Sequence, residues 1–464
     1  MIEAAAPLRD ATWGIWLTLC LLGAGLYLTV LLRGLQFRRF VPAARIAVRE
    51  RVEPEGDGDH SHFQALTIGL ASSVGIGNLA GVSAALASGG PGALVWMWAA
   101  GLLVMSTKYA EAVLGVRFRE TDVKGQKSGG PMYYLANGIR WGALGRVLAF
   151  VFAACLVAAA VGFGNGMQVH VMAGAAGRIG GVPPLFVGGV TALLVGLVTL
   201  GGVRSIGRVS AILVPGMILA YLALVAWTLW ARQPALTDLL GTVLDAAVNG
   251  RAAAGGILGF GIGQALRSGL AQGAMSGEAG LGTGAIAAAS AQTREPVRQA
   301  LVQMFGTFVD TIVVCGATGL LFLSLGWGGS GGESSAEAAA GWWTDPAGFA
   351  AALPGSVGGW LAAAVLACFA FSTILAWAFY GERGARYLFG QRAVLPFRFL
   401  FIGIIPLGAV MQVDFLWALS DAFRGLLALP NLIGLVVLSG IVARETRAYF
   451  GGRRGAGAQP SNRG

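Results

Sequence analysis

At 464 residues, 56% hydrophobic and only 12% charged, with a mean hydropathy of +0.70, the chain has the make-up of a protein that crosses a membrane many times, which excludes an ordinary soluble enzyme. Its formal charge of +10 would suit a nucleic-acid partner, yet the basic residues gather in loops between apolar runs, so no nucleic acid is expected. Cys20, Cys155, Cys315 and Cys368 fall in four separate apolar runs, without zinc or disulfide spacing, and read as packing residues. His60, His62 and His170 are too scattered for a metal site, and the first two are expected in a solvated loop.

The first apolar run, 12–32, is long enough to span a bilayer, which takes about 20 residues. It has no basic n-region or clean cleavage site, so it reads as a retained helix. A basic loop follows, then an interrupted apolar segment over 63–88. Gly89-Gly-Pro-Gly92 forms a turn, with Pro91 suited to start the next helix, 93–116. Lys108 and Glu111 near its far end read as structural residues of the cytoplasmic end, since a lysine can snorkel. Further spans are expected at 146–174, 183–202, 205–230, 255–276, 297–325, 357–388, 394–411 and 423–442. Thr237–Ala247 reads as an interfacial helix, 326–341 as a Gly/Ser/Glu-rich loop, and 444–464 as a polar tail.

The expectation is an all-α polytopic membrane protein with eleven transmembrane helices. Loops 33–60, 117–146, 203–208, 286–298, 383–398 and 441–464 fall on one side and hold 25 of the 32 Lys and Arg. The positive-inside rule then puts the N-terminus outside and the C-terminus in the cytoplasm, in the cytoplasmic (inner or plasma) membrane. Setting the first helix aside as peripheral leaves ten spans in two halves of five, and an odd number inverts one half relative to the other. The divisions are 1–60 for the N-terminal helix and loop, 61–232 and 233–445 for the two repeats, and 446–464 for the tail.

The chemistry concentrates in Ala71-Ser-Ser-Val-Gly-Ile-Gly-Asn-Leu-Ala-Gly-Val82. Gly75 and Gly77 each weaken a helix by about 1 kcal/mol relative to Ala. Backbone groups freed in hydrocarbon need partners in the protein or a cavity. Two readings stand: a broken helix whose backbone binds a ligand, or close helix packing through small residues. Gly273–Gly284 is a second interruption of the same kind, at the corresponding place in the second half. Paired breaks in inverted halves point to a central site in a secondary transporter. N–H groups of Ile76, Gly77 and Asn78 would then hold a substrate carboxylate at an electropositive half-helix end. Asp310 and Arg267, deep in neighbouring spans, are candidates to pair, and Glu278 to cap the second break or hold a gate. Asp421 and Arg424, at an outer helix end, read as structural.

The motifs resemble the alanine/glycine:cation symporter family, itself similar to the leucine-transporter (LeuT) fold. The likeness is carried by Gly75-Ile-Gly-Asn-Leu-Ala-Gly-Val82, Gly89-Gly-Pro-Gly-Ala, Trp96-Met-Trp98, Lys108-Tyr-Ala-Glu111 and Gly129-Gly-Pro-Met-Tyr-Tyr134. It continues in Gly164-Asn165 with Gln168, Glu278-Ala-Gly-Leu-Gly282, Phe308-Val-Asp-Thr311, Trp377 with Tyr380-Gly-Glu-Arg383, and Leu429-Pro-Asn431. The chain departs from the family pattern at Ile76, Gln272 and Gly277, which puts the substrate and the coupling ion in question.

The resemblance implies a LeuT-like five-plus-five inverted-repeat core with two broken helices. It also implies a sodium-coupled symporter importing small neutral amino acids, mainly alanine and glycine, by alternating access. The alternative is a proton-coupled or divergent carrier of another small zwitterion. An enzyme is not expected, because no catalytic set is present, and no obligatory protein partner is evident. Na+ as coupling ion would take carbonyls of Ala71, Val74 and Phe369 and hydroxyls of Ser372 and Thr373; the competing role for the two hydroxyls is bonding back to their own helix. The substrate would meet Gln168, Gly273, Ser276 and Trp377 in addition to the first break. Gln168 in an interhelical hydrogen bond and Trp377 in ordinary aromatic packing are the bland readings.

Overall fold

The computed structural model describes residues 15–49, 56–122, 125–232, 236–249, 262–325, 358–411 and 413–456. The expected loop at 326–341 and residues 255–261 of the expected seventh span lie outside these, as does the side chain of Asp421. The chain is helical almost throughout, because a backbone in hydrocarbon must bond to itself. The named exception is a two-residue antiparallel ladder, β1 (Glu120–Thr121) with β2 (Lys127–Ser128).

The helices are α1 (Ile15–Leu31), α2 (Phe40–Arg49), α3 (His62–Ser73), α4 (Ile76–Gly89), α5 (Ala93–Arg117), α6 (Pro131–Gly138), α7 (Gly142–Val161), α8 (Gln168–Gly180) and α9 (Pro184–Leu200). They continue as α10 (Val203–Arg232), α11 (Leu236–Asn249), α12 (Ile262–Ser276), α13 (Thr283–Ala289), α14 (Pro296–Thr307), α15 (Cys315–Ser324), α16 (Gly358–Phe389), α17 (Val394–Gly408) and α18 (Val413–Ala456). Wider π-helical turns, Gly162–Met167 and Phe308–Val314, join α7 to α8 and α14 to α15. Such turns recur at functional positions.

Among the described residues seven helices are long and apolar enough to cross a membrane, eight if the pair α3 and α4 counts as one. α1 and α9 are shorter apolar helices, and α12 is described over 15 residues. Large apolar side chains cover the outward faces: Phe186, Leu193, Leu197, Ile212 and Leu219 are all well over half exposed. A belt of this kind suits lipid contact.

Inside this belt α5 is the central post. It packs against α12, α13 and α14 on one side and α1 and α18 on others. α3 lies against α10 and α16, and α4 against α12. The two breaks are thereby neighbours, and the Ser72 hydroxyl beside the first bonds to Glu278 in the second at 2.9 Å. The strand of chain before α3 and the one after α13 also meet, with Gln292 N–H donating to the His60 carbonyl at 2.6 Å.

Several expectations are corrected here. His60 and His62 are buried, 1% and 0% exposed, and not in a solvated loop. His62 Nδ1 lies 2.6 Å from Gln299 Oε1, a contact that fixes the start of α3 on α14. Asp310 and Arg267 do not pair: Arg267 is exposed, and Asp310 bonds elsewhere. Lys108 and Glu111 do not snorkel to a surface; both are buried in the bundle. The last helix does not end near Val442 but runs to Ala456, because Thr446 bonds to the buried Tyr109 at 2.8 Å and Glu445 pairs with Arg117 at 3.0 Å.

Candidate functional site

The first break is built by backbone alone. α3 ends at Ser73 with Val74 as its cap, α4 starts at Ile76 with extended Gly75 as its cap residue, and the two axes differ by 48°. A helix start leaves N–H groups without intrahelical partners. Here the Asn78 N–H bonds to the Gly75 carbonyl at 3.0 Å, and no side chain caps the turn. The two glycines serve different purposes. A Cβ at Gly75 would lie 2.6 Å from Thr373 Oγ1, so Gly75 allows close approach of α16. A Cβ at Gly77 would meet nothing nearer than Phe163 Cζ at 3.9 Å. Packing does not demand glycine at 77.

Across from Gly77 stands Phe163, on the π-helical turn. Its ring meets the Trp377 ring edge-on at 5.3 Å, and the Arg424 guanidinium lies 4.2 Å from its centroid. Gln168 donates through Nε2 to the Phe163 carbonyl at 3.3 Å. Gln168 Oε1 and Trp377 Nε1 are buried with no hydrogen-bond partner among the described residues. Buried polar atoms normally find partners, and these two lie on residues that touch Phe163, opposite the start of α4. Ile76, Asn78, Phe163, Gln168 and Trp377 are all under 5% exposed.

The second break runs from the end of α12 at Ser276 to the start of α13 at Thr283. Ser276 Oγ lies 2.8 Å from Thr311 Oγ1, and Thr311 is beside Asp310. Asn78 of the first break donates to Asp310 Oδ1 at 2.6 Å. The π-helical turn 308–314 thus ties the two breaks together. Gly273 faces the other way: a Cβ there would collide with the Met97 carbonyl of α5. Glu278, in the left-handed region at φ 49°, accepts from the Ser72 and Thr283 hydroxyls, both at 2.9 Å.

Of the oxygens expected to hold a cation, those of Ala71 and Thr373 meet between the first break and α16, whereas the Ser372 hydroxyl bonds back to its own helix. Thr373 Oγ1 donates to the Ala71 carbonyl at 3.0 Å, and Ser372 Oγ to the Phe369 carbonyl at 2.9 Å. Ala71, Val74, Phe369, Ser372 and Thr373 are each no more than 1% exposed. The donor set is neutral and entirely oxygen, which suits a hard cation.

A layer of buried charge lies at the end that carries the basic loops. Arg383 and Asp59 pair at 3.1 Å with almost no exposure, Arg383 also donates to Ser128, and Arg386 pairs with Asp122. Arg119 donates to the carbonyls of Ala289, Ala291 and Thr293 just past α13. Burial, opposed in part by Arg383, pushes the Asp59 carboxyl above the usual carboxylate range.

The model of the sodium:alanine symporter family matches residues 2–463. The chain belongs to that family. Among its relatives, the sodium/alanine symporter AgcS of Methanococcus maripaludis is 41% identical, over 97% of both chains. The amino-acid carrier protein AlsT of Bacillus subtilis is 31% identical, over 95% of this chain and 90% of the other. The fold is similar to a solved manganese transporter of Eremococcus coleocola in a single-site mutant form: TM-score 0.54, 15% identity, 88% of this chain and 89% of that one. Family membership makes the protein a membrane transporter and not an enzyme.

Sequence reasoning did not single out Phe163, and it read Lys108 and Glu111 as residues of the cytoplasmic end, whereas both are buried inside the bundle. Lys108 and Glu111 carried a signal: two charges three residues apart on one face of an apolar helix. Phe163 carried none, being one phenylalanine among 23.

Proposed function

We propose that this family member carries alanine or glycine into the cell together with Na+. The observation that carries the reading is the pair of unpartnered atoms, Gln168 Oε1 and Trp377 Nε1, on residues that touch Phe163, across from Gly77, where a Cβ would be tolerated. The N–H groups of Ile76 and Gly77 take the substrate carboxylate, the Asn78 N–H being held by the Gly75 carbonyl, and Gln168 Oε1 accepts from the ammonium. A Cβ at Gly77 would already touch Phe163 at 3.9 Å, so this side of the site suits a small substrate side chain, with Trp377 limiting anything larger. Asn78 acts through Asp310, and Ser276 through Thr311, so both hold the shape of the pocket; Gly273 sets the spacing of α12 on α5.

Na+ takes the oxygens of Ala71, Val74, Phe369, Ser372 and Thr373, displacing the Thr373–Ala71 and Ser372–Phe369 hydrogen bonds. The same unwound turn serves ion and substrate, so each stiffens it for the other, and coupling is reciprocal. The chain crosses the bilayer eleven times, with a peripheral N-terminal helix, inverted halves at 61–232 and 233–445, the N-terminus outside and the C-terminus cytoplasmic. The Asp59–Arg383 layer then closes the cytoplasmic side, and release requires that it open.

Titrating alanine into purified protein in NaCl and in choline chloride tests this. Heat or signal of binding in NaCl alone supports it, and equal affinity in both salts sinks Na+ coupling. Proton coupling has one observation in its favour, the carboxylate of Asp310 sealed between the breaks. It predicts binding that follows pH in choline.

A further inference from the structure

At the second break the unwound backbone already has a cation. Lys108 Nζ, on a side chain 4% exposed, donates to the carbonyl of Gly277 at 2.9 Å and reaches that of Glu278 at 3.5 Å. One turn along the same face of α5, Glu111 Oε1 accepts from the N–H groups of Gly280 at 2.7 Å and Gly282 at 2.9 Å. Asn431 of α18 donates to the same oxygen at 2.8 Å and to the Gly280 carbonyl at 2.7 Å. The carbonyl end of the turn therefore meets a positive charge and the N–H end a negative one. The two charges stand on one helix and offset each other's burial. Gly284 leaves the room: a Cβ there would lie 2.6 Å from Lys108 Cε.

The first break is different. Its Ala71 carbonyl meets a neutral hydroxyl, that of Thr373, which a dissolved cation can displace. An ammonium is a compact charge with three donors and no lone pair. Held by four methylenes from a packed helix, it does not leave, and it repels any second cation at the same carbonyls.

We infer that Lys108 is a tethered cation serving the second break in place of a dissociable one, so that a single Na+ moves with each substrate. This rests on the Na+ reading of the first break. Lys108 and Glu111 are positioning residues here: they touch the backbone of the broken helix and not the substrate.

The test is the Na+ dependence of labelled alanine binding to purified wild type and Lys108→Met, with unfolding midpoints of both measured across the same Na+ series. Wild type should give a Hill coefficient of about 1, and a value of about 2 overturns the inference while leaving Na+ coupling intact. Binding without any Na+ dependence overturns the coupling reading instead, and Lys108 is then judged on the variant. In Lys108→Met the exposed carbonyls should recruit Na+, giving a steeper binding curve or an unfolding midpoint that rises more strongly with Na+ than that of wild type. A folded variant with the wild-type slope and midpoint overturns the role of Lys108. If the variant does not fold, the wild-type Hill coefficient decides.

Discussion

Asn78 and Asp310 are joined by a 2.6 Å hydrogen bond that links the first broken helix to a π-helical turn of another span. Thr311 on that turn bonds to Ser276 at the second break. Asn78→Ala removes a donor from a fully buried carboxylate and should cost about 1–3 kcal/mol of stability. Asp310→Asn should lower alanine affinity, because the two breaks lose their common partner. Unfolding in detergent and equilibrium binding check the two, and unchanged values for both variants would mean that the bond is incidental.

Gly75 and Gly77 should separate by substitution. Gly77→Val brings a Cβ into van der Waals contact with Phe163 without a clash and puts its methyls where the substrate would lie, so it should abolish alanine binding while costing little in the unfolding midpoint. Gly75→Ala places a Cβ 2.6 Å from Thr373 Oγ1, so it should weaken Na+ dependence first. Normal alanine binding by Gly77→Val would make the first break a packing device.

Thr373→Val keeps the shape of the side chain and removes its hydroxyl. Losing an oxygen from a cation site at about 1.5–3 kcal/mol should raise the Na+ concentration for half-maximal binding at least tenfold, since about 1.4 kcal/mol is tenfold. Alanine affinity at saturating Na+ should change little. A Na+ curve identical to wild type would remove Thr373 from the cation site.

His60 sets a pH dependence. Its Nε2 lies 2.8 Å from the Val203 carbonyl and its Nδ1 3.0 Å from Ser290 Oγ, and burial pushes its pKa down to about 4. The folded protein keeps it neutral, whereas the unfolded chain protonates near 6.5. Its contribution is fully present above pH 6.5 and is lost as the pH falls toward 4, by about 3 kcal/mol in all. His60→Asn should be less stable at neutral pH and show a flatter acid limb. Parallel acid limbs in unfolding experiments would contradict this.

Much of the fold was legible in the sequence because apolar length and paired glycine breaks are local signals. Gly75 and Gly77, two residues apart, announced a weak point in a helix. The clamp of Lys108 and Glu111 on the second break was not legible. It depends on which face of α5 meets residues 277–282, and that is decided by packing far along the chain. Burial of His60 and His62 failed for a similar reason: polar loop composition around them suggested solvent, but their partners Ser290, Val203 and Gln299 arrive from distant segments. The π-helical turns that present Phe163 and Asp310 have no sequence signature, since a one-residue widening leaves the apolar pattern nearly unchanged.

The most direct measurement is uptake of labelled alanine and glycine into proteoliposomes, with and without an inward Na+ gradient. The account predicts accumulation that requires the gradient and that Thr373→Val shifts to higher Na+. Accumulation that persists without Na+ and follows a proton gradient instead would contradict it, and would move the coupling site from the Ala71–Thr373 cluster to Asp310.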